Sequence, residues 1–104
     1  MELQTLPGLF ISHGSPMLAL DPEQVGPALH RLGTNLPIPK AIIVMSAHWE
    51  SKALEVSIST RPETWHDFRG FPKELYEIRY SAPGEPALAE EILKLLADAH
   101  FVAH

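Results

Sequence analysis

Six histidines in 104 residues make acid–base and metal chemistry the first possibilities to weigh, because imidazole titrates near neutrality and is the commonest metal ligand. Two of them, His13 and His48, share one setting: each follows directly on an apolar run, in LFIS-His13-GS and in IIVMSA-His48-WE. If the two runs are neighbouring parallel strands, spaced ~4.8 Å apart, both rings leave one sheet edge and can reach a single ion at ~2.1 Å. Ligand sites in open α/β sheets gather beyond the carboxyl ends of strands. The same setting equally suits a plainer role, in which each histidine closes a strand and bonds a backbone carbonyl. No local pair such as HExxH selects between them.

The other candidates are weaker by themselves. His66-Asp67 lies in a long polar and aromatic segment and could approach the same edge, or simply bond its neighbours. His30 falls on an expected helix beside Arg31 and reads as a surface residue. His100 and His104 would need the chain to fold back. Ser15 invites a nucleophile reading, but HGSPM lacks the GxSxG elbow, so a turn serine is expected. Trp49 and Trp65 read as core or pocket-wall residues, and Tyr76 and Tyr80 as packing residues.

The elements that would position these groups follow from pattern. Leu6 to Ser12 reads as a short buried strand with Pro7 at its start, and His13-Gly14-Ser15-Pro16 as a turn. Asp21-Pro22 opens a helix, with Asp as cap and Pro in the first position. Val25, Leu29 and Leu32 share its apolar face, and Gly33 can end it. Ala41 to Ala47, AIIVMSA, is a continuous apolar run of the kind found in strands covered on both faces. Ala53 to Ser59 alternates, as a strand with one wet face does. Thr60 to Phe71 is expected to be an irregular loop of the functional sort. A short helix follows Pro72. GEPALAEEILKLLADA is an amphipathic helix with Leu88, Ile92, Leu95 and Leu96 as its stripe, and HFVAH opens a further strand. The order predicts an α/β fold, helices flanking a mostly parallel or mixed sheet, in one domain.

Composition limits the function classes. Apolar content of 45% and charged content of 20% are ordinary for a globular protein. The net charge of −5, with eight scattered Lys and Arg, lacks the basic footprint of nucleic-acid binding. No apolar run nears the ~20 residues that span a bilayer, and MELQTLPG has no secretory pattern, which points to a cytoplasmic protein. Absence of cysteine removes disulfides and thiolate chemistry.

Taken together, LFISHGSPM, PKAIIVMSAHWES and RPETWHDFRGFPKELYEIRYSAPGEPALAEEI resemble, in order and spacing, the class III (LigB-like) extradiol ring-cleavage dioxygenases, and among them the DOPA 4,5-dioxygenase branch. The resemblance covers nearly the whole chain. It implies an α/β sandwich and the O₂-dependent opening of a catechol ring at a mononuclear non-haem Fe(II), with zinc also described in its place. It makes His13 and His48 metal ligands and puts His66, with Ser15, on the substrate side. Members of the family are much longer. The third ligand and an acid–base histidine are therefore expected in a part not present here, and residues 1–104 read as the N-terminal part of a catalytic domain. By itself that part is expected to be inactive or nearly so, and to expose apolar surface that favours a homo-oligomer. Two other readings stand beside this one. The first is a non-catalytic metal-binding or oligomerising module. The second is a metal-dependent hydrolase, for which Asp67 is the nearby carboxylate.

Overall fold

The computed structural model describes residues 5–12 and 14–104. Its described elements are a 3₁₀ turn at Pro16–Ala19 and three α-helices: α1 at Val25–Asn35, α2 at Lys73–Glu77 and α3 at Pro86–Asp98. The chain divides into two compact units. One holds the residues up to Ile42 together with Phe68–Ile78; the other holds Ile43–Asp67 and Arg79–His104.

In the first unit the 3₁₀ turn starts where Ser15 Oγ accepts the Met17 N–H at 3.2 Å and Pro16 occupies the first position. Helix α1 begins at Val25, four residues after Asp21. The intervening Glu23 sits at φ +48°, in the left-handed region that interrupts a helix, so Gln24 takes the cap position. The helix runs through Gly33 and stops at Asn35. Leu36 precedes Pro37, whose ring excludes helical geometry from the residue before it, and Leu36 is accordingly extended at φ −86°, ψ 145°. Helix α2 has only five residues, too few to persist alone. It packs against the 3₁₀ turn and carries Leu75, which is 3% exposed. Tyr76 donates its hydroxyl to the Phe68 carbonyl at 3.3 Å, and the Phe68 ring lies 4.8 Å from that of Tyr76 and 5.3 Å from that of Phe71.

In the second unit α3 starts with Pro86 in its first turn. Its inner face is Ala89, 5% exposed, with Ile92, Leu93 and Leu96 half-buried. Leu95, expected on the stripe, is 65% exposed. Gly84 donates its N–H to the Thr60 carbonyl at 3.0 Å and passes so close to the Ser59 carbonyl that a β-carbon there would overlap it.

The expected α/β sheet is not formed. Among the described residues the β pairing amounts to one parallel bridge, Leu54 with Ala103. It is closed by Val56 N–H to the His104 carbonyl at 2.8 Å and by His104 N–H to the Leu54 carbonyl at 2.9 Å. Leu6 to Ser12 and Ala41 to Ala47 have no ladder partner, and Ile42, Ile43, Val44 and Met45 are 70–98% exposed. The physical reason is that a helix closes its hydrogen bonds within its own segment, whereas a parallel strand needs neighbours beside it and cover on both faces. The described residues offer Ile42–Met45 neither. No described helix is long and apolar enough to cross a membrane.

Candidate functional site

The loop from Thr60 to Phe71 is irregular throughout, as its composition predicts. It delivers two groups to different partners. Asp67 Oδ2 meets His48 Nδ1 at 2.6 Å, a short charge-assisted contact. His66, half-buried, meets Arg79, whose Nη1 stands 3.4 Å from Nδ1 and 3.3 Å from Nε2. The Arg79 guanidinium thus stands within reach of both ring nitrogens of His66.

The main chain fixes where His48 begins. His48 N–H donates to Ser46 Oγ at 3.2 Å, and Trp49 N–H donates to the Ser46 carbonyl at 3.2 Å. The short polar residue after the apolar run thus makes the turn that presents the imidazole, as Ser does in such positions. The loop is pinned at its other side by Thr64, which exchanges two hydrogen bonds with the backbone of Tyr80.

Trp49 and Trp65 both line an open cleft of ≈520 Å³ within the same unit, with Arg61 and Glu63 on its wall. The two indoles are 41% and 61% exposed, so they are wall residues and not core. Flat apolar faces with one cation and one anion beside them suit a small aromatic molecule carrying polar substituents.

Of the residues singled out in the sequence, His13 lies outside the described residues. Ser15, in the first unit, is engaged as the cap of the 3₁₀ turn. With no sheet, the parallel-strand edge that was to gather His13 and His48 is absent among the described residues, so their meeting has no support from strand pairing. His30 is exposed on α1, as expected of a surface residue. The loop's acid, Asp67, expected with His66 either to approach the histidine edge or to bond its neighbours, and also weighed as the carboxylate of a hydrolase, is the partner of His48. Arg79, which holds His66, gave no signal.

The donor set can be tested for a divalent metal. No group of three or more His, Asp or Glu gathers for one among the described residues. His48 nonetheless has the chemistry of a ligand: in the tautomer that donates Nδ1–H to the Asp67 carboxylate, the lone pair lies on Nε2, the arrangement usual for metal-bound imidazole. The residues present fit one ligand of such a centre.

Comparison with known proteins gives the family of the chain. The family model described as the catalytic LigB subunit of aromatic ring-opening dioxygenase matches residues 7–104. The chain is 45% identical over 97 residues to the 4,5-DOPA dioxygenase extradiol of Escherichia coli (strain K12), an alignment covering 93% of this chain and 36% of that protein. It is 46% identical over 95 residues to the 4,5-DOPA dioxygenase extradiol of Beta vulgaris, covering 88% and 35%. It is 35% identical over 97 residues to the dioxygenase tasH of Hapsidospora irregularis, covering 82% and 30%. The chain thus spans about a third of the length of these relatives.

Proposed function

Because the chain belongs to the LigB family of aromatic ring-opening dioxygenases, we propose that it is the N-terminal part of a catalytic domain that opens a catechol ring, DOPA-like in kind, with O₂. The observation that carries this reading is the continuous match through residues 7–104, joined to relatives named as extradiol DOPA dioxygenases. His13 and His48 are two ligands of a mononuclear non-haem Fe(II), and His66 and Ser15 serve the substrate side. Bound there, the ferrous ion supplies the redox chemistry between catechol and O₂ that zinc, with no accessible redox change, cannot.

The chain's own residues have definite tasks in this reading. His48 enters from the Ser46 turn, with its Nδ1 against Asp67 Oδ2. Trp49, next in the chain, and Trp65 give the aromatic ring apolar faces to lie against. Arg61 offers a cation for a carboxylate on the substrate. His66, backed by Arg79, stands next to the residue that contacts His48.

Two ligands from this chain are too few to hold iron firmly, so the isolated chain turns over little or no substrate. The test loads the wild-type chain and His48→Ala with Fe(II) under argon, then measures bound metal and the absorbance shift of 4-nitrocatechol as it chelates. Metal-dependent chelation in the wild type and its loss in His48→Ala support the reading. Equal metal content in both proteins, or no shift with metal bound, overturns it. Oxygen uptake with DOPA at the rate of an intact relative would overturn the inactivity of the isolated chain.

The exposure of Ile42–Met45 favours one second reading, a self-associating module without catalysis of its own. That reading predicts oligomers whose formation is indifferent to metal.

A further inference from the structure

We infer that Asp67 is the positioning residue of His48, selecting which ring nitrogen is offered to a metal. The inference rests on the reading of His48 as a ligand and names a residue that reading does not use. A neutral imidazole exists as two tautomers, and only the nitrogen without a proton can coordinate. Asp67 Oδ2, 2.6 Å from His48 Nδ1, can only accept while ionised, so Nδ1 must donate. The proton is held on Nδ1 and the lone pair is directed to Nε2. The negative charge behind the ring also strengthens Nε2 as a donor.

Geometry favours orientation over stability as the purpose of the contact. The side chains of His48 and Asp67 are 49% and 63% exposed, and ion pairs so open to water add little to folding. The ring is nevertheless held at two points. The Ser46 turn anchors its backbone, with His48 N–H on Ser46 Oγ at 3.2 Å, and Asp67 anchors its edge from nineteen residues away. Restraint at both ends sets the direction of Nε2, which is what a ligand needs and a surface histidine does not. The neighbouring His66 is committed to Arg79, so consecutive loop residues serve different partners. Tyr80, next to Arg79, binds Thr64 and stiffens the segment that carries Asp67.

The experiment reads the ring before it reads any metal. Long-range ¹H–¹⁵N spectra of the metal-free chain report the His48 tautomer in wild type, Asp67→Ala and Asp67→Asn. The wild type should be chiefly the Nδ1–H form. Asp67→Ala should move the ring toward Nε2–H, and Asp67→Asn, whose carbonyl can still accept, should lie between them. Calorimetric titration with Zn²⁺ should then show affinity falling about 10- to 100-fold in Asp67→Ala, with partial recovery in Asp67→Asn. An Nε2–H ring in the wild type overturns the proposal, as does an Asp67→Ala chain with unchanged tautomer and zinc affinity. If Asp67→Ala loses its helical circular dichroism, the near-isosteric Asp67→Asn supplies the comparison. A His48→Ala chain that binds zinc as tightly as wild type overturns the ligand reading and this proposal with it. Zinc binding that disappears in His48→Ala but is unmoved in both Asp67 variants overturns the role of Asp67 alone.

Discussion

Thr64 and Tyr80, sixteen residues apart, close a reciprocal pair: the Tyr80 N–H donates to Thr64 Oγ1 at 3.2 Å, and the Thr64 hydroxyl donates to the Tyr80 carbonyl at 3.4 Å. One side chain thus does for this loop what a backbone ladder would do for a strand. Replacing it by valine keeps the shape and removes both bonds. Thr64→Val should cost about 1 kcal/mol, since each bond is partly replaced by water, and should speed amide exchange at Tyr80. Urea denaturation and hydrogen-exchange NMR measure the two effects. A Tyr80 amide that exchanges no faster would show that the clamp does not hold the loop.

Leu75 and Ala89 are the buried apolar residues among those described. Leu75→Ala should therefore remove much of what holds α2 to the 3₁₀ turn. Deletions of this kind cost ~2–5 kcal/mol, and an open surrounding that can relax puts this one near about 2 kcal/mol. Tyr76→Phe keeps the ring against Phe68 and loses only a 3.3 Å hydrogen bond, worth about 0.5 kcal/mol. Denaturant midpoints should rank wild type, Tyr76→Phe, then Leu75→Ala.

Gly84→Ala should destabilise the second unit by ~1–3 kcal/mol, the range for forced overpacking. The added methyl would meet the Ser59 carbonyl, and relief would break the 3.0 Å bond from Gly84 to Thr60. The observable is a lowered thermal midpoint with faster exchange at the Gly84 amide. An unchanged midpoint would mean that the close approach carries no constraint.

Ile42, Ile43, Val44 and Met45 form an uncharged, proline-free run of strong β-formers open to water, the pattern that drives edge-to-edge association. Sedimentation velocity should show concentration-dependent oligomers of the wild type. Val44→Lys should shift the distribution toward monomer without altering helical content. Equal distributions would place the association elsewhere.

How legible these features were depended on how local they are. Helix α3 and the existence of α2 could be read from the chain because their patterns lie within the segment itself. The end of α1 was misplaced at Gly33 because Pro37, four residues on, exerts the stronger constraint on the backbone before it. Apolar continuity in Ala41–Ala47 predicts a strand covered on both faces, but continuity does not supply the neighbours, and among the described residues the run is exposed and joins no sheet. The turn at Ser15 and the loop around His66 were legible from composition. The contact between His48 and Asp67 was not, because nineteen residues separate two polar groups with no periodicity to link them.

The bridge between Leu54 and Ala103 sets an order in time. It closes a loop of about fifty residues, and such closure must be met in entropy before two hydrogen bonds return anything. Helix α3 can begin to form within about a microsecond from its own residues, whereas the bridge waits until Val56 and His104 happen to meet. The last contact made is the first released, so the second unit should breathe by unzipping from its carboxyl end while α3 remains wound.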